Sequence, residues 1–323
     1  MAAAIILFSD HDPSPTYTVT NKKNILVTGA NGQLGMELQT IAPLHPQYNF
    51  LFPTREELPI ESADALKKYF AEQPIDFCIN CAAYTAVDKA ETEKEKALLI
   101  NGIAVGELAS VCKTNNTQLI HISTDYVFKG DANTPYKETD ATDPVNAYGA
   151  SKLKGEELAI QNDPAAIIIR TSWLYSSYGN NFVKTMRRLM KERENINVVN
   201  DQYGCPTYAA DLAEAIITMI EQLTTGNGQL ATGNGQLAVD NKQSTIFNYC
   251  NAGITNWYEF ALAINELSGS NCTINPISTS AYPTAAKRPQ YSVLDAGKIR
   301  QIFDISIPHW KISLEKCIKK MGS

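Results

Sequence analysis

The stretch HISTDYVFKGDANTPYKETDATDPVNAYGASK, residues 121–152, decides how the chain folds. It opens on an apolar run ending in Ser123-Thr-Asp-Tyr126, crosses a polar loop and closes on Asn146-Ala-Tyr-Gly-Ala-Ser-Lys152. The spacing predicts a strand, a loop and a helix. Asp143 before Pro144 reads as the helix start, with a side-chain oxygen at the cap and proline in the first helical position. Tyr148 and Lys152 then stand four residues apart on one helix face, about 5–6 Å between Cβ atoms. A free phenol, with a pKa of about 10, is a poor proton donor at neutral pH, and an ammonium beside it lowers that value. By itself the pair also describes an ordinary amphipathic helix, so its meaning depends on the rest of the chain.

Upstream, the short apolar run Asn24-Ile-Leu-Val-Thr28 leads into Gly29-Ala-Asn-Gly32-Gln-Leu-Gly35 and then a helical pattern over Met36–Ile41. Such a turn lets the backbone approach a pyrophosphate while helix amides face its charge. A second strand is expected over Tyr48–Phe52. Where an acidic residue would accept a ribose 2′-hydroxyl, Pro53-Thr54-Arg55 stands instead. Arg55 can pair with a 2′-phosphate, which tilts the cofactor toward NADP; it reads equally well as an exposed loop arginine.

The alternation continues with a helix over 62–73, a strand over 77–80, a helix over about 93–114 and a strand over 118–123. The helix carrying Tyr148 and a strand over 166–170 follow. Strands alternating with helices of this length predict an α/β fold, a doubly wound parallel sheet covered on both faces. Its ligand crevice lies beyond the carboxyl ends of the strands. Ala83-Tyr84-Thr85, Thr124-Asp125-Tyr126 and Thr171-Ser172-Trp173 each follow a strand end and should converge there. Past Trp173 the rhythm breaks. Helices are expected over 182–191, 209–222, 256–267 and near Leu314, with strands over 196–199 and 246–249. The expected division is a Rossmann-like unit of residues 22–175 and 208–250 and a smaller C-terminal α/β substrate domain of 176–207 and 251–323. Residues 1–21 read as a flexible extension, not a signal peptide, since no basic leader or cleavage pattern is present. The heptapeptide TGNGQLA occurs twice in tandem, at 225–231 and 232–238, and reads as a duplicated exposed loop.

The net charge of −6 lacks the basic footprint of a nucleic-acid binder. No apolar run reaches the 18 residues that would suggest a membrane span. Seven scattered cysteines suit a reducing, cytoplasmic setting. Cys78-x-x-Cys81 lies in what reads as a buried strand with no second pair or nearby His, and reads as two structural thiols. His11, His45, His121 and His309 sit in no ligand spacing.

Several segments together resemble the extended short-chain dehydrogenase/reductase superfamily and, within it, the branch of dTDP-4-dehydrorhamnose reductases. They are Gly29-x-x-Gly32-x-x-Gly35, Asn80-Cys-Ala-Ala-Tyr-Thr-Ala-Val-Asp-Lys-Ala-Glu91 and Ser123-Thr-Asp-Tyr-Val-Phe128. Further matches are Pro144-x-Asn-x-Tyr148-Gly-x-Ser-Lys152, Arg170-Thr-Ser-Trp-Leu-Tyr175, Asn200-Asp-Gln-Tyr-Gly-Cys-Pro-Thr207 and Arg288-Pro289. The resemblance implies reduction of the C4 keto group of a nucleotide-sugar by NADPH or NADH, NADPH favoured. It implies that Tyr148 is the proton donor, that Lys152 holds the nicotinamide ribose and lowers the phenol's pKa, and that Thr124 hydrogen-bonds the reacting oxygen. Gly29, Gly32, Gln33, Leu34, Gly35, Arg55, Ala83, Tyr84 and Thr85 would meet the cofactor, as would Tyr148 and Lys152. Thr124, Asp125 and Trp173 would meet the sugar, with Arg288 and Lys184 as candidate diphosphate contacts. A homodimer is compatible with this reading. Two departures matter. Some relatives hold magnesium with glutamates at a dimer interface; Glu37 matches one position, but Ala210 stands at another, which speaks against the ion. Pro59 replaces an Asp that many relatives place near the cofactor. A nucleotide-sugar epimerase or dehydratase of the same superfamily, and a non-catalytic module resembling the regulatory β subunit of methionine adenosyltransferase, are the alternatives; the intact Thr124, Tyr148 and Lys152 set favours catalysis.

Overall fold

The computed structural model describes residues 22–225, 231–232, 236–237 and 245–322. The N-terminal extension and most of the tandem heptapeptides lie outside the described residues. Of the latter, Ala231–Thr232 pairs antiparallel with Gln236–Leu237.

Six strands form one sheet: β1 (Lys23–Thr28), β2 (Tyr48–Leu51), β3 (Phe77–Asn80), β4 (Gln118–Thr124), β5 (Ile167–Thr171) and β6 (Ile246–Tyr249). All neighbours pair parallel, in the order β2-β1-β3-β4-β5-β6. Chain direction across the sheet reverses between β1 and β3, and a ligand crevice is expected at their carboxyl ends. Both faces are apolar, as a doubly covered sheet requires. Ile25, Val27 and Ile79 face one core and Leu26 and Cys78 the other, the two-residue alternation of a strand.

Helices α1 (Gln33–Ile41) and α2 (Ala63–Glu72) follow β1 and β2. The helix after β3 is continuous from Lys94 to Thr114 but winds through a π turn at Leu99–Ile103 before its last stretch, α3 (Ala104–Thr114). This 21-residue segment is long and apolar enough to cross a membrane, yet 61% of its most apolar stretch is buried inside the molecule. Its span agrees with the helix expected over about 93–114. Helix α4 (Ala147–Asn162) carries Tyr148 and Lys152. Its cap is Asn146, whose Oδ1 accepts from the Gly149 N–H at 2.8 Å, and not Asp143 as expected. The Asp143 N–H is instead drawn to the Val127 carbonyl at 3.0 Å, which keeps that segment out of the helix.

Helices α5 (Phe182–Glu192), α7 (Trp257–Leu267) and α8 (Trp310–Lys320) enclose a separate core with two further strands, Asn195–Val199 and Thr273–Ile277, which pair parallel. Between them in sequence, α6 (Ala209–Thr225) packs on the main sheet beside α1. The segment 299–305 also returns to the main core through Ile299, Phe303 and Ile305.

Candidate active site

Gly29 leaves β1 with φ +66°, and a Cβ there would fall 2.5 Å from the Ala82 amide beyond β3. Only a glycine closes this switch point. The Gly32 N–H bonds to the Gly29 carbonyl at 2.9 Å, and α1 starts at Gly32 with no side-chain cap and no acid in its first turn. Helices α2, α4, α5, α7 and α8 are capped by Ser62, Asn146, Asn181, Asn256 and His309. The amides of α1 are thus left free for an anionic ligand such as a pyrophosphate, and the positive end of the helix dipole favours it. Gly35 plays a different part: it lies against Ala30, where a Cβ would come within 2.5 Å of the Ala30 carbonyl.

The turn opens into a cavity of about 730 Å³. Gly29, Gly32, Gln33, Leu34, Arg55, Ala83 and Thr85 line it on one side, and Thr124, Asp125, Tyr148, Lys152 and Trp173 on the other. Tyr84 does not line it. Its backbone N–H and carbonyl are both held by Asn101, at 2.8 and 2.9 Å, and its ring packs on the small core of Ile60, Ile100 and Ala104. Asn101 sits in the π turn, and its Nδ2 also donates to Ser151 of α4. The widened turn aims one amide at both the loop after β3 and the helix of Tyr148, a placement typical of π turns at functional sites.

At the far end of the cavity Arg55 Nη2 bonds to Glu61 Oε1 at 2.6 Å. Arg55 remains 65% exposed, and Glu61 26%. Glu61 lies two residues after Pro59 and brings a carboxylate to the cavity wall that sequence reading missed, because helix α2 starts only at Ala63 and the intervening turn folds it inward.

Burial pushes the Tyr148 phenol above its ordinary value; the Thr124 hydroxyl opposes this by hydrogen bonding, while Asp125 and Tyr126 add to it. The expected acidification by Lys152 is not seen. The lysine side chain is buried and turned toward the sheet, donating to the Ile122 carbonyl at 2.6 Å and meeting His121 Nε2 at 3.2 Å. Burial lowers its pKa to about 8, against the pull of Glu156 and Cys81. Glu156 is itself occupied by Arg170 Nη2 at 2.7 Å and Ser123 Oγ at 2.5 Å. Asp125 is raised to about 6 by burial, eased by the hydroxyls of Ser292 and Thr124. Its Oδ2 is buried without a hydrogen-bond partner, which suits a hydroxyl-rich ligand.

Trp173 has φ +48°, a backbone state rare for residues with a side chain. The indole is clamped: it stacks on Trp257 at 3.5 Å and 8°, and a Cβ on Gly204 would come within 2.5 Å of it. Gly204, in the Asn200–Thr207 motif, is therefore the seat of the indole. Trp257 also lines the cavity; as the first residue of an amphipathic helix it carried no signal in sequence. Arg288 stands behind Tyr126, not in the cavity wall, with Nη2 on Asp88 Oδ2 at 2.7 Å. Lys184 reaches the Ser177 carbonyl at 3.4 Å and is also outside the wall.

Glu37 is fully buried, with Oε1 accepting from Ser176 Oγ and Oε2 from Lys320 Nζ, each at 2.6 Å. Both its oxygens are already engaged, so it does not fit the magnesium position of some relatives. Among the described residues no cluster of three or more acidic, His or Cys side chains could hold a metal ion. All seven cysteines are free thiols.

A parallel sheet that opens an uncapped glycine turn onto the same space as a helix-borne Tyr and Lys marks the short-chain dehydrogenases and reductases, and this chain is a dinucleotide-dependent oxidoreductase of that class. Comparison with known proteins narrows it further. The chain belongs to the family described as RmlD substrate binding domain, whose model matches residues 23–323. It is similar to dTDP-4-dehydrorhamnose reductase of Aggregatibacter actinomycetemcomitans, at 38% identity over 297 residues covering 90% of this chain and 97% of that protein. Crystal structures of dTDP-4-dehydrorhamnose reductases match as well. That from Clostridium acetobutylicum has a TM-score of 0.83 at 36% identity, covering 93% of this chain and 100% of that one. That from Bacillus anthracis, solved in complex with NADP, has a TM-score of 0.83 at 37% identity, covering 93% and 99%.

Proposed function

We propose that the chain reduces the C4 keto group of dTDP-4-dehydro-L-rhamnose to give dTDP-L-rhamnose, using NADPH in preference to NADH. The observation that carries this reading is that Tyr148, Lys152, Thr124 and the glycine turn face one cavity in a chain so similar to reductases of that name. The bound dihydronicotinamide supplies the hydride. Gly29, Gly32, Gln33, Leu34 and Gly35 form the turn that receives the pyrophosphate, with Ala83 and Thr85 beside it in the wall and Tyr84 holding their loop from behind. Arg55 exchanges Glu61 for the 2′-phosphate. Thr124 orients the C4 oxygen, and Tyr148 gives it a proton from a water-poor site. Lys152, once beside the phenol, makes that transfer easier. Asp125 accepts a hydrogen bond from a sugar hydroxyl and Trp173 covers the sugar; Arg288 reaches the diphosphate only by leaving Asp88, which holds it behind Tyr126.

The unit of residues 22–175 and 208–250 binds the cofactor, while 176–207 and 251–323 bind the nucleotide-sugar. The free thiols fit a cytoplasmic enzyme and the acidic charge one that does not bind nucleic acid; its partner is the nucleotide-sugar, with no membrane and a homodimer as the proposed assembly. The test is direct. Mixing protein, NADPH and dTDP-4-dehydro-L-rhamnose should consume one nicotinamide absorbance equivalent per sugar reduced. Absence of consumption with this sugar, or turnover that recycles a tightly held NAD, would defeat the reading.

A further inference from the structure

His121 is fully buried on β4, between Asn80 of β3 and Lys152 of α4. Its hydrogen bonds leave little freedom. Asn80 Oδ1 accepts from Thr28 Oγ1 at 2.7 Å and from the Ala82 backbone N–H at 3.2 Å. A backbone amide can only donate, so the atom facing it is the oxygen, and the other end of Asn80 is the NH2 group. That donor stands 3.0 Å from His121 Nδ1. Nδ1 must therefore accept, and in a neutral imidazole the ring proton lies on Nε2. Burial and the neighbouring Lys152 keep His121 well below the usual imidazole range, so the ring is neutral. Nε2 faces Lys152 Nζ at 3.2 Å, while Nζ donates to the Ile122 carbonyl at 2.6 Å. An ammonium has three protons and no lone pair, and would set donor against donor here. An amine satisfies both contacts, accepting from His121 and donating to Ile122.

We propose that His121 is a positioning residue: its Nε2–H holds the amine form of Lys152 against the sheet and so favours loss of the lysine's proton. On cofactor binding, Lys152 leaves His121 for the Tyr148 side of the cavity, and a chain that held it as the amine takes one proton from solvent. This rests on the reading of Lys152 as the cofactor-facing lysine, and it explains why the resting phenol lacks an acidifying neighbour. The groups facing Nζ agree with it. From the loop after β3 comes the Cys81 thiol, which burial keeps protonated. From its own helix come Tyr148 one turn before and Glu156 one turn after, and the Glu156 charge is already matched by Arg170 of β5. Resting Lys152 thus has no unshared anion beside it.

The test begins on the cofactor-free chain. Long-range proton–nitrogen correlation of the four imidazoles, with His121 assigned by its loss in His121→Phe, should place the His121 proton on Nε2. Carbon-13 titration of the Lys152 side chain, assigned with Lys152→Met, should show a midpoint near 8, against an ordinary 10.5. Calorimetric binding of NADPH alone at about pH 9, repeated in buffers of different ionisation enthalpy, should report uptake of close to one proton per chain. In Asn80→Asp the carboxylate accepts from Nδ1, Nε2 becomes an acceptor, and the lysine midpoint should rise about tenfold or more in proton affinity with uptake largely lost. A ring proton on Nδ1, a lysine titrating at its ordinary value, or NADPH binding without proton uptake would overturn the proposal. The first two readouts need neither substrate nor turnover, so they separate this inference from the assignment of the sugar substrate.

Discussion

At the scale of single residues, the proposed chemistry rests on a phenol that burial makes reluctant to ionise. Tyr148→Phe removes only the transferable proton, so turnover should fall by about 10²–10⁴-fold while NADPH binding, followed by calorimetry, stays nearly unchanged. Arg55→Ala should raise the KM for NADPH more than that for NADH; equal rises would remove the 2′-phosphate contact. Asp125 makes a prediction with a definite sign. Its native value of about 6 lies above the ordinary 3.8, so the folded chain binds that proton more tightly than the unfolded one. The resulting stabilisation is complete below about pH 4 and is lost as pH rises through about 6. Asp125→Asn should therefore gain stability over the parent as pH climbs from 4 to 7, by up to about 3 kcal/mol in denaturant titrations. A constant difference across that range would contradict the burial argument.

At the scale of elements, α2, α4, α5, α7 and α8 start on a side-chain cap, whereas α1, which faces the cavity, does not. Asn256 caps α7 through the Glu259 N–H at 2.8 Å, directly before Trp257. Asn256→Ala should cost about 1 kcal/mol in unfolding free energy and, by loosening the indole stack, should weaken sugar binding more than cofactor binding. Gly204→Ala forces a methyl into the Trp173 ring; the expected result is a raised KM for the nucleotide-sugar with little change in NADPH affinity. Most elements were legible in sequence because buried strands read as short apolar runs and the helices as amphipathic stretches between them. The strand Phe77–Asn80 and the strand Ile246–Tyr249 lie where their apolar runs predict. The start of α4 was misplaced because Asp143-Pro144 carries a local helix signal that a tertiary bond from Asp143 to Val127 overrides. The π turn was not legible: the weak helix formers Asn101 and Gly102 mark no particular helix geometry, and the wider turn shows only in what Asn101 reaches.

At the scale of the molecule, α8 is tied to α1 by an ion pair between the buried Glu37 and the partly exposed Lys320. Ser176 shares the carboxylate, and Tyr178 lies under the ammonium at 4.9 Å; the next residues, Gly179 and Asn180, line the cavity. Lys320→Met would leave Glu37 buried without its cation. Because Lys320 is one-third exposed, the loss should be about 2–3 kcal/mol, somewhat less than for a wholly buried pair, with a rise in KM for NADPH as the loop shifts. A variant as stable as the parent would show that the pair does not join the two parts of the chain.

The parallel α/β architecture, the glycine turn and the Tyr148–Lys152 helix can be read from the residues alone, because apolar patterning, turn chemistry and motif spacing are local properties that survive without a fold. Packing was needed to show which way Lys152 points, that Glu61 answers Arg55, that Lys320 occupies Glu37, and that Trp257 covers Trp173. Each joins residues brought together by packing, and whether a charge is paired, shared or buried depends on neighbours that no local pattern specifies.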